Sequence, residues 1–483
     1  EGRARLARRA LSGAQVSAAN LARFVLGAPA FARASAGELG EAALSSVEIS
    51  DAARAIAADL RAADAIANEP IVVFVANMPR DIVAFLGIWL AGCVAVPIHV
   101  ATPEAAVQGL IARLGARLAV RAGAIERIGA APPPARPLLD GAGLIVFTSG
   151  STGQPKGVVV THDGLVWKLG ALARLVTLTP NDVVVVPLQL TFIFGIWVSL
   201  LSLMSGARLK LAPKFSATAL SAHGDEITAL AAVPTLLRAI VGGDSVRSPK
   251  LARILTGGEP FSPALADKLA SLFPQAGVFD LFGLTETGSC DFCVRPQDQL
   301  SLRGTIGRTT EGVAFRIAEQ PALGLAAGVG ELQIRTPAVM AGYLDDPVQT
   351  AAAFADGYFR TGDLATIRAD GAVQLVGRSK DVVSRGGNKI APLEIENLFA
   401  QHESVAAVLA FGAPDARLGE RLHLMVVARR PGLSEAALRA WAKDRLERFK
   451  TPDVFHFVDA LPAGRTGKAD RAAARLFLEG RGA

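Results

Sequence analysis

The sequence predicts an α/β protein: a large N-terminal domain of βαβ-type sheets packed with helices, followed by a small α+β C-terminal domain. Three observations carry that expectation. Apolar, β-rich runs alternate with helical patterns from about residue 46 to 260, the order that builds sheets covered by helices on both faces. Over about 304–378 the texture changes to shorter strands and turns, with Gly and Asp at the breaks, which reads as a β-rich subdomain. Past Gly377 a last block begins in which helix and strand patterns mix.

Taken in order, Ile71–Val75, Val94–Ile98, Leu144–Phe147, Val183–Val186 and Ala229–Val233 are the strand candidates. They are short apolar runs rich in β-branched residues, the pattern of strands buried on both faces. Residues 124–142, with Ala131-Pro132-Pro133-Pro134, read as a surface connection. In the last block, helices are expected at 392–401 and 434–447 and strands near 405–411 and 422–428. No internal repeat of 20–50 residues is present.

The chain has 483 residues, 51% of them apolar and 19% charged, which excludes wholesale disorder and leaves ample room for a core. The mean hydropathy of +0.36 raises the question of a membrane. Ile82–Ala101 carries no charge, and Val183–Met204 has Gln189 as its one strongly polar residue; either is long enough for a span of about 20 residues. Both are broken, however. The first reads as a helix to Leu90, a stop at Ala91-Gly92 and a strand ending near Pro97; the second opens with a buried strand closed by Pro187. Neither has a flanking Lys/Arg cluster. No integral membrane segment is expected.

The formal charge of +6 is spread along the chain, so nucleic-acid binding is not expected, while small anionic substrates suit it. Cys93, Cys290 and Cys293 are too few for a disulfide scaffold, and the lone Cys290-x-x-Cys293 lacks the partners a zinc site needs. Packing accounts for them. The Arg-rich first ten residues lead into small and mixed residues, so no signal peptide is expected and a cytoplasmic, reducing location is.

The most informative stretch is Phe147-Thr148-Ser149-Gly150-Ser151-Thr152-Gly153-Gln154-Pro155-Lys156-Gly157, directly after a strand candidate. Its hydroxyls, glycines and lysine make a loop whose backbone N–H groups can approach phosphate oxygens with a cation alongside. It is not a Walker A loop, because Pro155 stands where that motif needs Gly. Further motifs follow in order: Gly257-Gly258-Glu259-Pro260, Asp280-Leu281-Phe282-Gly283-Leu284-Thr285-Glu286, Tyr358-Phe359-Arg360-Thr361-Gly362-Asp363-Leu364, Gly377-Arg378-Ser379-Lys380-Asp381, Gly386-Gly387-Asn388-Lys389-Ile390 and Leu461-Pro462-Ala463-Gly464-Arg465-Thr466-Gly467-Lys468.

Together these resemble the signature of the adenylate-forming superfamily, which includes acyl-CoA synthetases, luciferases and peptide-synthetase adenylation domains. The resemblance runs from about residue 46 to 475; residues 1–45, rich in Ala and Arg, match it poorly. It implies an AMP-binding domain over 1–378 and a mobile lid domain over 379–483 that carries the catalytic lysine. The implied reaction is ATP-dependent formation of an acyl-adenylate with release of pyrophosphate, followed by transfer to a thiol.

The resemblance also implies roles. Lys468 is the cation bridging the carboxylate and α-phosphate oxygens. Glu286 is a Mg²⁺ ligand and Thr285 hydrogen-bonds the α-phosphate. Thr148, Ser149, Ser151, Thr152 and Lys156, on a backbone opened by Gly150 and Gly153, hold the β- and γ-phosphates. Adenine lies on Gly258-Glu259-Pro260 and on the Asp280-Leu281-Phe282-Gly283 segment, with Phe282 as its flat face and Asp280 accepting from its amino group. Family members commonly carry Asn and Tyr at these two positions. Asp363 takes the ribose hydroxyls, with Arg378 beside it. Lys380 is the hinge, and Gly386 and Gly387 line the path of the pantetheine arm, which passes closely only where Cβ atoms are absent.

The stretch Leu190-Thr191-Phe192-Ile193-Phe194-Gly195-Ile196-Trp197 contains no acidic residue, which disfavours an amino-acid substrate. Its lack of Arg and Lys disfavours a dicarboxylate. Phe192 resembles the aromatic version of this stretch in benzoate-CoA ligases, as do Arg295-Pro296 more weakly. Phe192, Phe194 and Trp197 are the expected acyl-pocket wall, suited to an aryl or short- to medium-chain aliphatic monocarboxylate, or else ordinary core residues of an apolar helix. Gly386–Pro392 resembles the CoA-ligase form, so coenzyme A is the expected acceptor. A stand-alone enzyme loading a carrier-protein phosphopantetheine thiol is the alternative, and a non-catalytic nucleotide-binding relative is disfavoured by the retained Lys156, Glu286 and Lys468.

Overall fold

A computed structural model describes residues 20–131, 133–148, 155–242, 246–325, 327–462 and 469–479. By contact the chain divides into two compact units, Glu1–Ala314 with Ile334–Phe359 and Phe315–Gln333 with Arg360–Ala483.

The first unit is built on two large sheets. In the nine-stranded sheet, Ser35–Glu38, Arg208–Leu211, Val183–Val186, Ala229–Ala231, Arg253–Gly257 and Gly277–Phe282 run parallel in the middle. Antiparallel strands Ala43–Ser45 at one edge and Phe292–Val294 with Arg308–Thr309 at the other complete it. In the seven-stranded sheet, Leu118–Arg121, Pro70–Val75, Val94–His99 and Ala142–Thr148 are parallel. Ala124–Arg127, Lys156–Thr161 and Gly342–Tyr343 are antiparallel additions.

Both membrane-length windows resolve into buried α/β elements. Helix Pro79–Ala91 begins on Pro79, with Asp81 accepting from the Ala76 and Met78 N–H groups, and ends on Gly92 in the left-handed region at φ +82°. Strand Val94–His99 follows. In the second window every residue of Val183–Val186 is 0% exposed, and helix Ile193–Met204 is buried along nearly its whole length. Its two buried serines, Ser199 and Ser202, satisfy themselves on the Gly195 and Val198 carbonyls at 2.8 Å each. Among the described residues no helix is long and apolar enough to cross a membrane.

Three details depart from the sequence expectation. Residues 20–45, in which the sequence offers no element, supply helix Leu21–Leu26 and the strands Ser35–Glu38 and Ala43–Ser45 at the sheet edge. Ala124–Arg127, inside the expected surface connection, is an edge strand paired with Leu118–Arg121. The strand at Ala229 stops at Ala231, because Val233 caps a helix that starts on Pro234. Cys93, Cys290 and Cys293 are free and buried, as packing residues.

Two smaller sheets hold most of the strand residues of the second unit. One aligns Ala314–Glu319, Gly330–Arg335, Tyr358–Ile367 and Val373–Arg378. The other aligns Asn388–Ile390, Val383–Arg385, Gly419–Ala428 and Val405–Asp415, with Val454–Phe457 parallel to Gly419–Ala428. Helices Pro392–Phe399 and Glu435–Ala442 bury Ile395, Phe399, Leu438 and Ala442 in the core of this last sheet.

Candidate active site

In the first unit the site is built at the carboxyl ends of Arg253–Gly257 and Gly277–Phe282, the edge of a parallel sheet where ligands characteristically bind. These neighbouring strands place Gly257 opposite Leu281. A Cβ on Gly257 would collide with the Leu281 carbonyl oxygen, and one on Gly283 with the Cys290 backbone N–H. The two glycines are therefore what allow both segments to turn so close together.

Beyond Gly283 the chain forms one turn of 3₁₀ helix, Thr285–Thr287. Glu286 is half-buried. Its Oε1 accepts from the Tyr343 hydroxyl at 3.1 Å, and its backbone carbonyl accepts from Met340 N–H at 2.7 Å. Burial, and then the Glu286 charge, push the Tyr343 hydroxyl up, so Tyr343 stays a donor. Lys156 lies over the Tyr343 ring, its Nζ 5.2 Å from the centroid. Thr148 ends its strand directly opposite Lys156. The structure thus brings Thr148, Lys156, Thr285 and Glu286 into one neighbourhood through Tyr343. Ser149, Gly150, Ser151, Thr152 and Gly153 lie outside the described residues.

In the segment expected to meet adenine, Leu281 is a core residue and Phe282 meets Phe292 edge-on, ring centroids 6.0 Å apart. Asp280 borders a narrow cleft with Phe261, Ser262 and Gln299. Burial pushes its carboxyl up to about 7. Gly258 takes φ +80°. Glu259 accepts from the Thr235 N–H and hydroxyl at 3.0 and 2.6 Å, so its carboxylate caps helix Pro234–Val241 while it holds the Gly258-Pro260 ledge in place.

The expected acyl wall separates into two kinds of residue. Phe192 is 48% exposed at the N-cap of helix Ile193–Met204, whereas Trp197 is 1% exposed and belongs to the core, its ring 5.4 Å from that of Phe194. The loop before this helix is fixed from beneath by Asn77, whose Oδ1 accepts from Leu190 N–H at 2.8 Å.

In the second unit, Asp363 and Arg378 face each other across antiparallel strands, and Arg378 Nε donates to Asp363 Oδ1 at 2.7 Å. Burial raises the Asp363 carboxyl, and Arg378 pulls it back. Lys380 sits in a 3₁₀ turn, Ser379–Asp381. Gly386 and Gly387, at φ +55° and +84°, form the tip of the hairpin Val383–Arg385/Asn388–Ile390, a turn that demands left-handed residues. Lys468 lies outside the described residues. Three residues beyond it, Arg471 is tied to Glu396 at 2.6 Å and to Asp381, beside Lys380, at 3.2 Å.

Sequence reasoning missed Tyr343, Asn77 and the buried pair Lys168–Asp291. Tyr343 left a faint signal, being one of only two tyrosines in the chain. The others leave none, since their partners are distant in sequence. Among the described residues no cluster of three or more His, Cys, Asp or Glu could hold a metal ion by itself. The donor chemistry fits a Mg²⁺ ion that takes one carboxylate from protein and its other oxygens from phosphates and water.

A half-buried carboxylate turn at the carboxyl ends of parallel strands, with Lys156 beside it, suits an enzyme that handles a phosphorylated substrate. The chain belongs to the AMP-binding enzyme family, whose profile matches residues 22–344, with the family's C-terminal domain matching 394–468. It is 34% identical to sulfoacetate–CoA ligase of Cupriavidus necator over 70% of this chain and 67% of that protein. It is 30% identical to feruloyl-CoA synthase of Amycolatopsis over 89% and 93% respectively. Its fold superposes on ATP-bound MatB of Rhodopseudomonas palustris with a TM-score of 0.85, at 23% identity over 96% of this chain and 99% of that one. With o-succinylbenzoate CoA synthetase of Bacillus subtilis the TM-score is 0.79, at 23% identity over 94% and 97%. The chain is an acid–thiol ligase of the AMP-forming acyl-CoA synthetase type.

Proposed function

We propose that the enzyme activates an aryl or short- to medium-chain aliphatic monocarboxylate with ATP and passes the acyl group to the thiol of coenzyme A. The observation that carries this is Glu286, a half-buried carboxylate oriented by Tyr343, next to Thr285 and with no cationic partner among the described residues. Such a carboxylate is poised for a hard cation. When bound there, Mg²⁺ supplies charge neutralisation on the phosphates.

A carboxylate oxygen of the acid attacks the α-phosphorus, the bond to the β-phosphate bridge breaks, and pyrophosphate leaves. Two anions meet in that step, so fixed positive charge and donors at the α-phosphate lower its barrier. Lys468 supplies the charge and Thr285 a hydroxyl donor. Thr148, Ser149, Ser151, Thr152 and Lys156, with the open backbone of Gly150 and Gly153, hold the departing phosphates. Gly258-Glu259-Pro260 and Asp280-Leu281-Phe282-Gly283 seat the adenine, and Asp363 with Arg378 the ribose. In the second step the thiol loses its proton, sulfur attacks the acyl carbon, and the bond to AMP breaks. Lys380 is the hinge on which a lid of residues 379–483 turns away from a body of 1–378 between the steps, and Gly386 and Gly387 leave room for the pantetheine arm.

Phe192 and Phe194, exposed and half-buried at the start of an uncharged helix, support an apolar acid. The match to feruloyl-CoA synthase, which spans nearly the whole of both chains, favours the aromatic side of that class. Three free, buried thiols suit a cytoplasmic location. A pyrophosphate-release screen over aryl, short, medium and long acids, with CoA or a holo carrier protein as acceptor, tests the proposal. Turnover confined to amino acids or dicarboxylates, or to the carrier protein, would overturn it.

A further inference from the structure

We propose that Lys168 and Asp291 form a positioning clamp that sets the Thr285–Thr287 turn for its work on the α-phosphate and metal. The inference rests on the roles proposed above for Thr285 and Glu286.

Lys168 projects from helix His162–Val176 and is 1% exposed; Asp291, in the loop after the turn, is 0% exposed, and the two are paired at 3.0 Å. The second carboxylate oxygen of Asp291 accepts from the Thr287 hydroxyl. That hydroxyl in turn accepts from the Leu284 N–H at 3.3 Å. The Asp291 backbone closes the loop at both sides, donating to the Phe282 carbonyl at 2.7 Å and accepting from Thr310 N–H at 2.8 Å. One carboxylate therefore ties the start of the turn, its last residue and a core helix together, with Glu286 held between the fixed points.

A second observation shows that the loop needs holding. Ser289 and Cys290, consecutive non-glycine residues, both adopt left-handed backbone at φ +68° and +52°, a state that persists only where the surroundings impose it. Burying two charges together adds little net stability over an apolar pair of similar size. What the ion pair adds over that apolar pair is a fixed acceptor for Thr287, and so a fixed backbone on either side of Glu286.

The test uses full-length enzyme carrying K168M/D291L, which replaces the pair with apolar groups, alongside D291N and E286Q. Melting temperature, amide exchange of residues 282–291 and the Mg²⁺ dependence of ATP–pyrophosphate exchange are measured together. The double variant is expected to melt cooperatively near the wild type, yet to lose about tenfold in amide protection of the turn and to need about tenfold more Mg²⁺ for half-maximal exchange. Unchanged protection, or an unchanged Mg²⁺ response, in the folded double variant overturns the proposal. If the double variant does not fold, D291N decides on the same two readouts. E286Q is expected to lose the Mg²⁺ response with the turn's protection intact. If it keeps that response, the role given to Glu286 fails, and the clamp is judged on turn protection and the exchange rate.

Discussion

The Tyr343 hydroxyl donates to Glu286 Oε1 at 3.1 Å, across 57 residues of sequence. The bond orients the carboxylate and leaves Oε2 of Glu286 without a side-chain partner among the described residues. Replacing Tyr343 by Phe keeps the ring beneath Lys156 and removes only this donor. Hydrogen bonds to charged groups contribute about 1.5–3 kcal/mol, so the variant is expected to need about tenfold more Mg²⁺ for half-maximal pyrophosphate exchange while its melting temperature stays near the wild type. An unchanged Mg²⁺ titration would remove Tyr343 from the site.

With Asp280 facing adenine as proposed, ATP binding is expected to depend on pH. Its carboxyl is pushed by burial to about 7, so it is neutral below that pH and ionised above it. The neutral acid offers one donor and one acceptor, matching adenine N1 and the exocyclic amino group; the carboxylate offers acceptors only. The KM for ATP is expected to rise as pH climbs from 6 to 8.5. Asp280→Asn, which presents a donor and an acceptor at every pH, is expected to flatten that rise. The same slope in both enzymes contradicts the assignment.

His162 is expected to make helix Leu21–Leu26 acid-sensitive. Its Nδ1 accepts from the Leu21 backbone N–H at 3.2 Å, and burial lowers its pKa from 6.5 to about 4. Because the unfolded state binds the proton more readily, this contribution is complete above pH 6.5 and is lost as pH falls from 6.5 towards 4, at up to about 1.4 kcal/mol per pH unit. Amide protection in Leu21–Leu26, corrected for intrinsic exchange, is expected to fall between pH 7 and pH 5. Equal protection at both would show that the helix is held by other contacts.

Lys380→Pro freezes φ at the proposed hinge. Thioester formation should slow while pyrophosphate exchange is spared, because only the second step requires the lid to turn. Equal loss of both activities counts against a hinge at this residue.

How much of this was legible in the sequence depended on how far apart the interacting residues are. Val183–Val186 and the Ile82–Ile98 unit announce themselves because strands and helices buried on both faces have no polar residues to interrupt them, and Gly92 marks its own turn. The phosphate loop and the Thr285-Glu286 motif are contiguous, so their chemistry is on view. Ser35–Glu38 was invisible, since a short strand of small and polar residues exists only through its neighbours at Arg208 and Ala43. Lys168 and Asp291 lie 123 residues apart, and on any local reading each is a surface charge. Trp197 reads from sequence as a pocket-wall residue with the core as the alternative, and its 1% exposure puts it in the core.

Supplying the best acid from the substrate screen with both carboxylate oxygens labelled as ¹⁸O, together with ATP, Mg²⁺ and CoA, and then weighing the nucleotide product tests the acyl-adenylate chemistry most directly. Attack at the α-phosphorus followed by thiolysis leaves one labelled oxygen in AMP and none in pyrophosphate. Unlabelled AMP, or label in inorganic phosphate alongside ADP, would contradict the acyl-adenylate route.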